Sequence, residues 1–100
     1  MFSEKMMHWS KAKLSPDPEV VFTNLKNGEA VLLHLGTNQY FSLNETGALI
    51  WESLEQGHDV DETSREIEAK FDVTLDIAQQ SVVDLVEQLV QEKLLAVSNG

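Results

Sequence analysis

No cysteine occurs among the 100 residues. That absence excludes a disulfide framework, thiolate zinc sites, iron–sulfur ligation and thiol catalysis together. Basic residues are few, 7 Lys and Arg against 17 Asp and Glu, which leaves a formal charge of −10. No apolar run approaches the roughly 20 residues needed to cross a bilayer. Residues 1–13 mix Glu4, Lys5, His8 and Lys11 with apolar side chains, so no signal peptide is read and the expected setting is cytoplasmic, without a membrane partner. No glycine-rich phosphate loop occurs. His8, His34 and His58 fall in separate elements with no i, i+4 pairing and no carboxylate at ligand spacing, so no metal site is expected. Ser42, Ser53 and Ser81 lack an elbow motif and a base nearby in sequence. The expectation is a protein with no catalytic residues, no metal and no cofactor.

What is present is apolar content of 42% in a chain of one-domain length. At this size about two-thirds of the unfolded surface is buried, enough for a single core and too little for a large enclosed active site. The acidity is unevenly placed. Residues 45–100 hold three basic and thirteen acidic side chains, whereas residues 1–44 are balanced. A back half so negative repels a phosphate backbone, whose binding depends on Lys and Arg displacing counterions, so no nucleic-acid partner is expected.

Residues 1–18 lack periodicity and end in Ser15-Pro16-Asp17-Pro18, which blocks a helix and reads as an N-terminal arm; residues 19–97 form the domain. Three β-type runs follow, Glu19–Leu25, Glu29–Leu35 and Gln39–Leu43, separated by Lys26-Asn27-Gly28 and Gly36-Thr37-Asn38. This punctuation predicts two successive hairpins, hence an antiparallel meander. From Asn44 the period changes to that of helices. Asn44 caps a first helix carrying Gly47, Ile50, Trp51 and Leu54 on one stripe, and Gly57 stops it. A second begins near Asp59–Asp61 and turns Ser64, Ile67 and Phe71 inward. Thr74 caps a third over about Leu75–Lys93, and Leu94–Val97 closes with an apolar tail. The fold class is α+β, a three-stranded meander followed by three α-helices.

On a helical wheel with Leu75 at zero, Ala78, Val82, Leu85 and Leu89 fall at about 280–340° and are expected in the core. Val86, Gln79, Val90 and Val83 lie at about 20–80°, extending the apolar arc beyond one seating stripe. The surplus has two readings: ordinary packing against the sheet or the arm, or the wall of a groove for an apolar peptide side chain. In a meander the third strand is an edge. None of Gln39, Tyr40, Phe41, Ser42 and Leu43 is charged or proline, so this edge lacks the usual protection and is a candidate for β-augmentation.

The run Gly28-Glu29-Ala30-Val31-Leu32-Leu33 and then Gln39-Tyr40-Phe41-Ser42-Leu43-Asn44-Glu45-Thr46-Gly47-Ala48-Leu49-Ile50-Trp51 resembles the signature of PqqD-like peptide chaperones, also called RiPP recognition elements. Lys70-Phe71-Asp72-Val73, Val86-Glu87-Gln88-Leu89 and Leu94-Leu95 extend the resemblance across roughly residues 16–97. It implies a winged-helix-like, non-catalytic domain that binds the leader segment of a ribosomally made precursor peptide. The leader adds as a strand beside Gln39, Tyr40, Phe41, Ser42 and Leu43 and lies against the third helix, for which the wheel offers Gln79, Val83, Val86 and Val90. The implied partners are the precursor and a modifying enzyme or leader peptidase, with a lasso-peptide pathway favoured over synthesis of the quinone cofactor PQQ. Two other classes remain open. One is a winged-helix DNA-binding regulator, disfavoured by Asp76, Asp84, Glu87 and Glu92 on the third helix. The other is a structural module whose edge strand pairs with a second copy as a homodimer.

Overall fold

The computed structural model describes residue 9 and residues 12–98. Strand β1 spans Lys13–Pro16, and a meander of β2 (Val20–Asn24), β3 (Ala30–His34) and β4 (Gln39–Leu43) follows. Helices α1 (Glu45–Glu55), α2 (Val60–Phe71) and α3 (Leu75–Gln91) come next, and β5 (Leu95–Ser98) ends the described chain. The meander forms an antiparallel sheet in the order β2-β3-β4, and β1 pairs with β5 in a separate two-stranded ribbon.

The turns and caps follow from local chemistry. Asn27 and Gly28 adopt φ of 70° and 80° in the β2–β3 connection, a region that Asn and Gly enter at least cost. The β3–β4 turn is braced from below, because His34 Nδ1 accepts the N–H groups of Gly36 and Thr37 at 3.1 and 3.3 Å. Asn44 Oδ1 accepts Gly47 N–H at 2.8 Å and starts α1. Asp59 and Glu62 form a reciprocal capping box at α2, and Thr74 Oγ1 accepts Ile77 N–H at 3.2 Å to open α3.

Alternation in β3 turns Ala30, Leu32 and His34 inward, and β4 contributes Leu43 fully and Phe41 partly to the same core. Trp51, Ile50 and Leu54 from α1, Ile67 from α2, and Val82, Val86 and Leu89 from α3 complete it. Phe71 packs against this cluster only half-buried.

The expected boundary at residue 18 falls just after a paired strand. Lys13–Pro16 pairs antiparallel with Leu95–Ser98, so the arm from Lys13 onward and the apolar tail make one ribbon. Pro16 is tolerated because β1 has only one neighbour and a proline there removes no obligatory donor. A four-residue strand is too short for its period to register in sequence. Upstream, Trp9 is buried and its indole N–H donates to Glu87 Oε2 on α3 at 3.4 Å, so this side chain docks on its own domain. The rest of the expected arm, residues 1–8, 10 and 11, lies outside the described residues.

Candidate functional site

The pairing pattern determines which main-chain groups of β4 are open. Leu35 N–H donates to Glu19 O and Leu25 N–H to Glu29 O, in continuous register with the β2–β3 ladder. Odd-numbered residues of β3 therefore bond to β2, and even-numbered ones face β4, since hydrogen-bonding groups alternate sides along an antiparallel strand. The partners of Ala30, Leu32 and His34 are Leu43, Phe41 and Gln39. Tyr40 and Ser42 are left with their N–H and C=O groups directed away from the sheet.

This edge runs beside a groove of about 410 Å³ lined by Phe41, Leu43, Ile50, Ser81, Asp84 and Leu85, among others. A second hollow of about 330 Å³ continues past Phe41 toward Gln39, Tyr40, Glu92 and Leu94. Gly47 lies in the groove lining, and a Cβ there would sit 3.2 Å from Leu43 Cδ2. The missing side chain lets α1 start tightly against the end of β4 and keeps the hollow open.

All five expected β4 residues, Gln39, Tyr40, Phe41, Ser42 and Leu43, lie along these two hollows. Phe41 and Leu43 face α3, while the Tyr40 side chain stands on the opposite face of the sheet, 73% exposed. The expected wall does not coincide with the groove. Gln79, Val83 and Val86 are buried, Val83 to 2% exposure, and Val90 is half-buried away from the lining. Leu85, expected in the core, is half-buried and lines the groove instead. The reason is that α3 packs against α2 and β5 as well as α1, so its core arc is centred on the valine flank. The groove is bounded by the other flank, Ser81, Asp84, Leu85 and Gln88, at about 180–280° on the same wheel. Its signal in sequence is a stripe at i, i+3, i+4 and i+7 that mixes polar and apolar residues, as a wall that is solvated when empty must.

Two polar clusters elsewhere act as braces. Ser53 Oγ contacts His58 Nδ1 (3.0 Å), Thr63 Oγ1 (2.8 Å) and Glu66 Oε2, and His58 Nδ1 lies 2.9 Å from Glu66 Oε2. A nucleophilic triad needs serine and acid on opposite ring nitrogens. Here both approach Nδ1 and Ser53 is buried, so the set ties α1 to α2. Asp17, Glu19 and His34 also converge, with ligand-type atoms within 4.8 Å of one another, a proximity not visible from sequence spacing. Because His34 Nδ1 accepts two backbone N–H groups, the ring proton of the neutral imidazole sits on Nε2, which points to Asp17 Oδ1 at 3.7 Å. The nitrogen facing the carboxylates is thus a donor rather than a free ligand lone pair.

No helix among the described residues is long and apolar enough to cross a membrane. No curated protein matches the chain. Among solved structures it is similar to TbiB1 in complex with the TbiA(beta) leader peptide, at 32% identity over 81% of this chain and 93% of that one, with a TM-score of 0.75. It is also similar to lasso peptide synthetase B1 complexed with the leader peptide, at 26% identity over 85% and 99% of the two chains, with a TM-score of 0.76. The family model described as coenzyme PQQ synthesis protein D (PqqD) matches residues 29–95. A match over that span, joined to the α+β fold and the open β4 edge, places the chain in the PqqD family of non-catalytic, peptide-binding proteins.

Proposed function

We propose that this protein binds the leader segment of a ribosomally made precursor peptide as a fourth strand on β4 and presents it to a modifying enzyme or leader peptidase. The carrying observation is the outward N–H and C=O of Tyr40 and Ser42 beside a groove walled by α3. Main-chain pairing at those two residues supplies affinity, and side chains of the added strand across from Phe41 and Leu43 enter the groove and supply selection. Both similar structures carry leader peptides, which supports this reading over a DNA-binding one. The groove flank of α3 holds Asp84 and no Lys or Arg, the reverse of what a major groove requires. The similarity to a lasso peptide synthetase B1 favours a lasso-type pathway over synthesis of the quinone cofactor.

The test is fluorescence anisotropy with labelled leader peptides from precursors encoded beside the gene. Ser42→Pro removes an outward donor while leaving the β3–β4 ladder intact, and is expected to weaken binding more than tenfold. Asn24→Pro, on the far edge of the same sheet, is the control and should bind as the parent does. Equal affinity of the Ser42→Pro and parent proteins would contradict the proposal.

A further inference from the structure

Resting on the leader-binding reading, we infer that the β4 groove selects a strand of the form basic–x–apolar–x–basic, with the two basic side chains paired to Asp84 and Glu92. Each of the two hollows along β4 has one carboxylate in its lining, Asp84 in the groove that holds Leu43 and Asn44, and Glu92 in the hollow that holds Gln39 and Tyr40. Between them the lining is apolar or neutral: Phe41, Leu85 and Gln88. Among the described lining residues there is no Lys or Arg.

The spacing fits a strand. Asp84 and Glu92 are eight positions apart, about 12 Å along a helix axis. Same-face residues i and i+4 of a strand are about 13 Å apart. A peptide paired with Tyr40 and Ser42 points the residues across from Leu43, Phe41 and Gln39 toward α3. The outer two of these meet Asp84 and Glu92, and the middle one lies over Phe41, between Leu85 and Gln88. The pattern reads the same in both strand directions, so the inference does not depend on polarity.

Glu92 adds a separate indication. It is the C-cap of α3, at the negative end of the helix dipole, where a carboxylate is disfavoured; the last turn itself holds no basic residue, and Lys93 follows directly after it. Asp84 Oδ1 accepts from Gln80 Nε2 at 2.8 Å on the flank beside the groove, and the carboxylate keeps acceptor capacity for an incoming cation. A net charge of −10 draws a basic peptide toward this surface.

The experiment is display selection of a random 12-residue peptide library on the full-length protein, run in parallel on Asp84→Lys/Glu92→Lys and on Ser42→Pro. Both charge positions are exposed, so the double variant is expected to fold, which circular dichroism checks. Peptides selected by the parent should carry Lys or Arg at two positions four apart with an apolar residue midway. The preference should invert to Asp or Glu on the charge-reversed variant, and Ser42→Pro should select neither. Each pair is expected to change affinity about two- to fivefold at low salt, fading as ionic strength rises. Peptides that depend on Ser42 but show no charge preference would overturn the charge selection while leaving strand addition intact. Recovery of only Ser42-independent peptides, or of none, would overturn strand addition and the charge selection with it.

Discussion

Gln79 is buried and its Nε2 donor has no partner among the described residues. An unmade hydrogen bond in the interior costs about 1–3 kcal/mol. Gln79→Met keeps the length of the side chain and removes the unpaired donor, so urea unfolding should show a gain of about 1 kcal/mol. Ser53 is the opposite case, a buried hydroxyl with every contact used. Ser53→Ala leaves Thr63 and Glu66 short of a partner and should lower unfolding free energy by about 1–2 kcal/mol in the same assay. Neither role is legible in sequence. Gln79 falls among valines on a wheel and reads as a wall residue. Ser53, His58, Thr63 and Glu66 meet only because α1 and α2 fold back on each other. The caps are the contrast: Asn44, Asp59 with Glu62, and Thr74 announce themselves because the atoms they satisfy are three residues away.

The strands of the meander and the three helices fall close to the expected ranges, since each carries its own period and its own terminators. Which flank of α3 meets solvent is another matter. A wheel gives the width of an apolar arc but not its neighbours, and α3 buries its valine flank while showing Leu85 to the groove. A paired substitution separates the two flanks. Val83→Asp places a charge among core residues and should lower stability by more than about 3 kcal/mol. Leu85→Asp, at a half-buried groove position, should cost less stability and weaken leader binding at least fivefold. Thermal melting and anisotropy on both variants check this. Stable folding of Val83→Asp with lost binding would return the wall to the valine flank.

The β1–β5 ribbon ties the two ends of the described chain together, and it was hidden in sequence because its partners are some 80 residues apart and only four residues long. Leu14 and Trp9 are both buried upstream of the meander. Deleting residues 1–17 removes both side chains and leaves β5 unpaired. Each such side chain is worth about 1.5–3 kcal/mol of burial, so the midpoint of thermal unfolding should fall by about 10 °C or more. An unchanged midpoint would show that the domain stands on the meander and helices alone.

Amide hydrogen exchange, followed residue by residue by NMR with and without leader peptide, reaches the β4 edge itself. In the free monomer the N–H groups of Phe41 and Leu43 should be protected by β3, while those of Tyr40 and Ser42 exchange rapidly. On addition of leader, Tyr40 and Ser42 should become protected and Phe41 and Leu43 should change little. Protection of Tyr40 and Ser42 in the free monomer, or no gain at either when leader is bound, would contradict strand addition at β4.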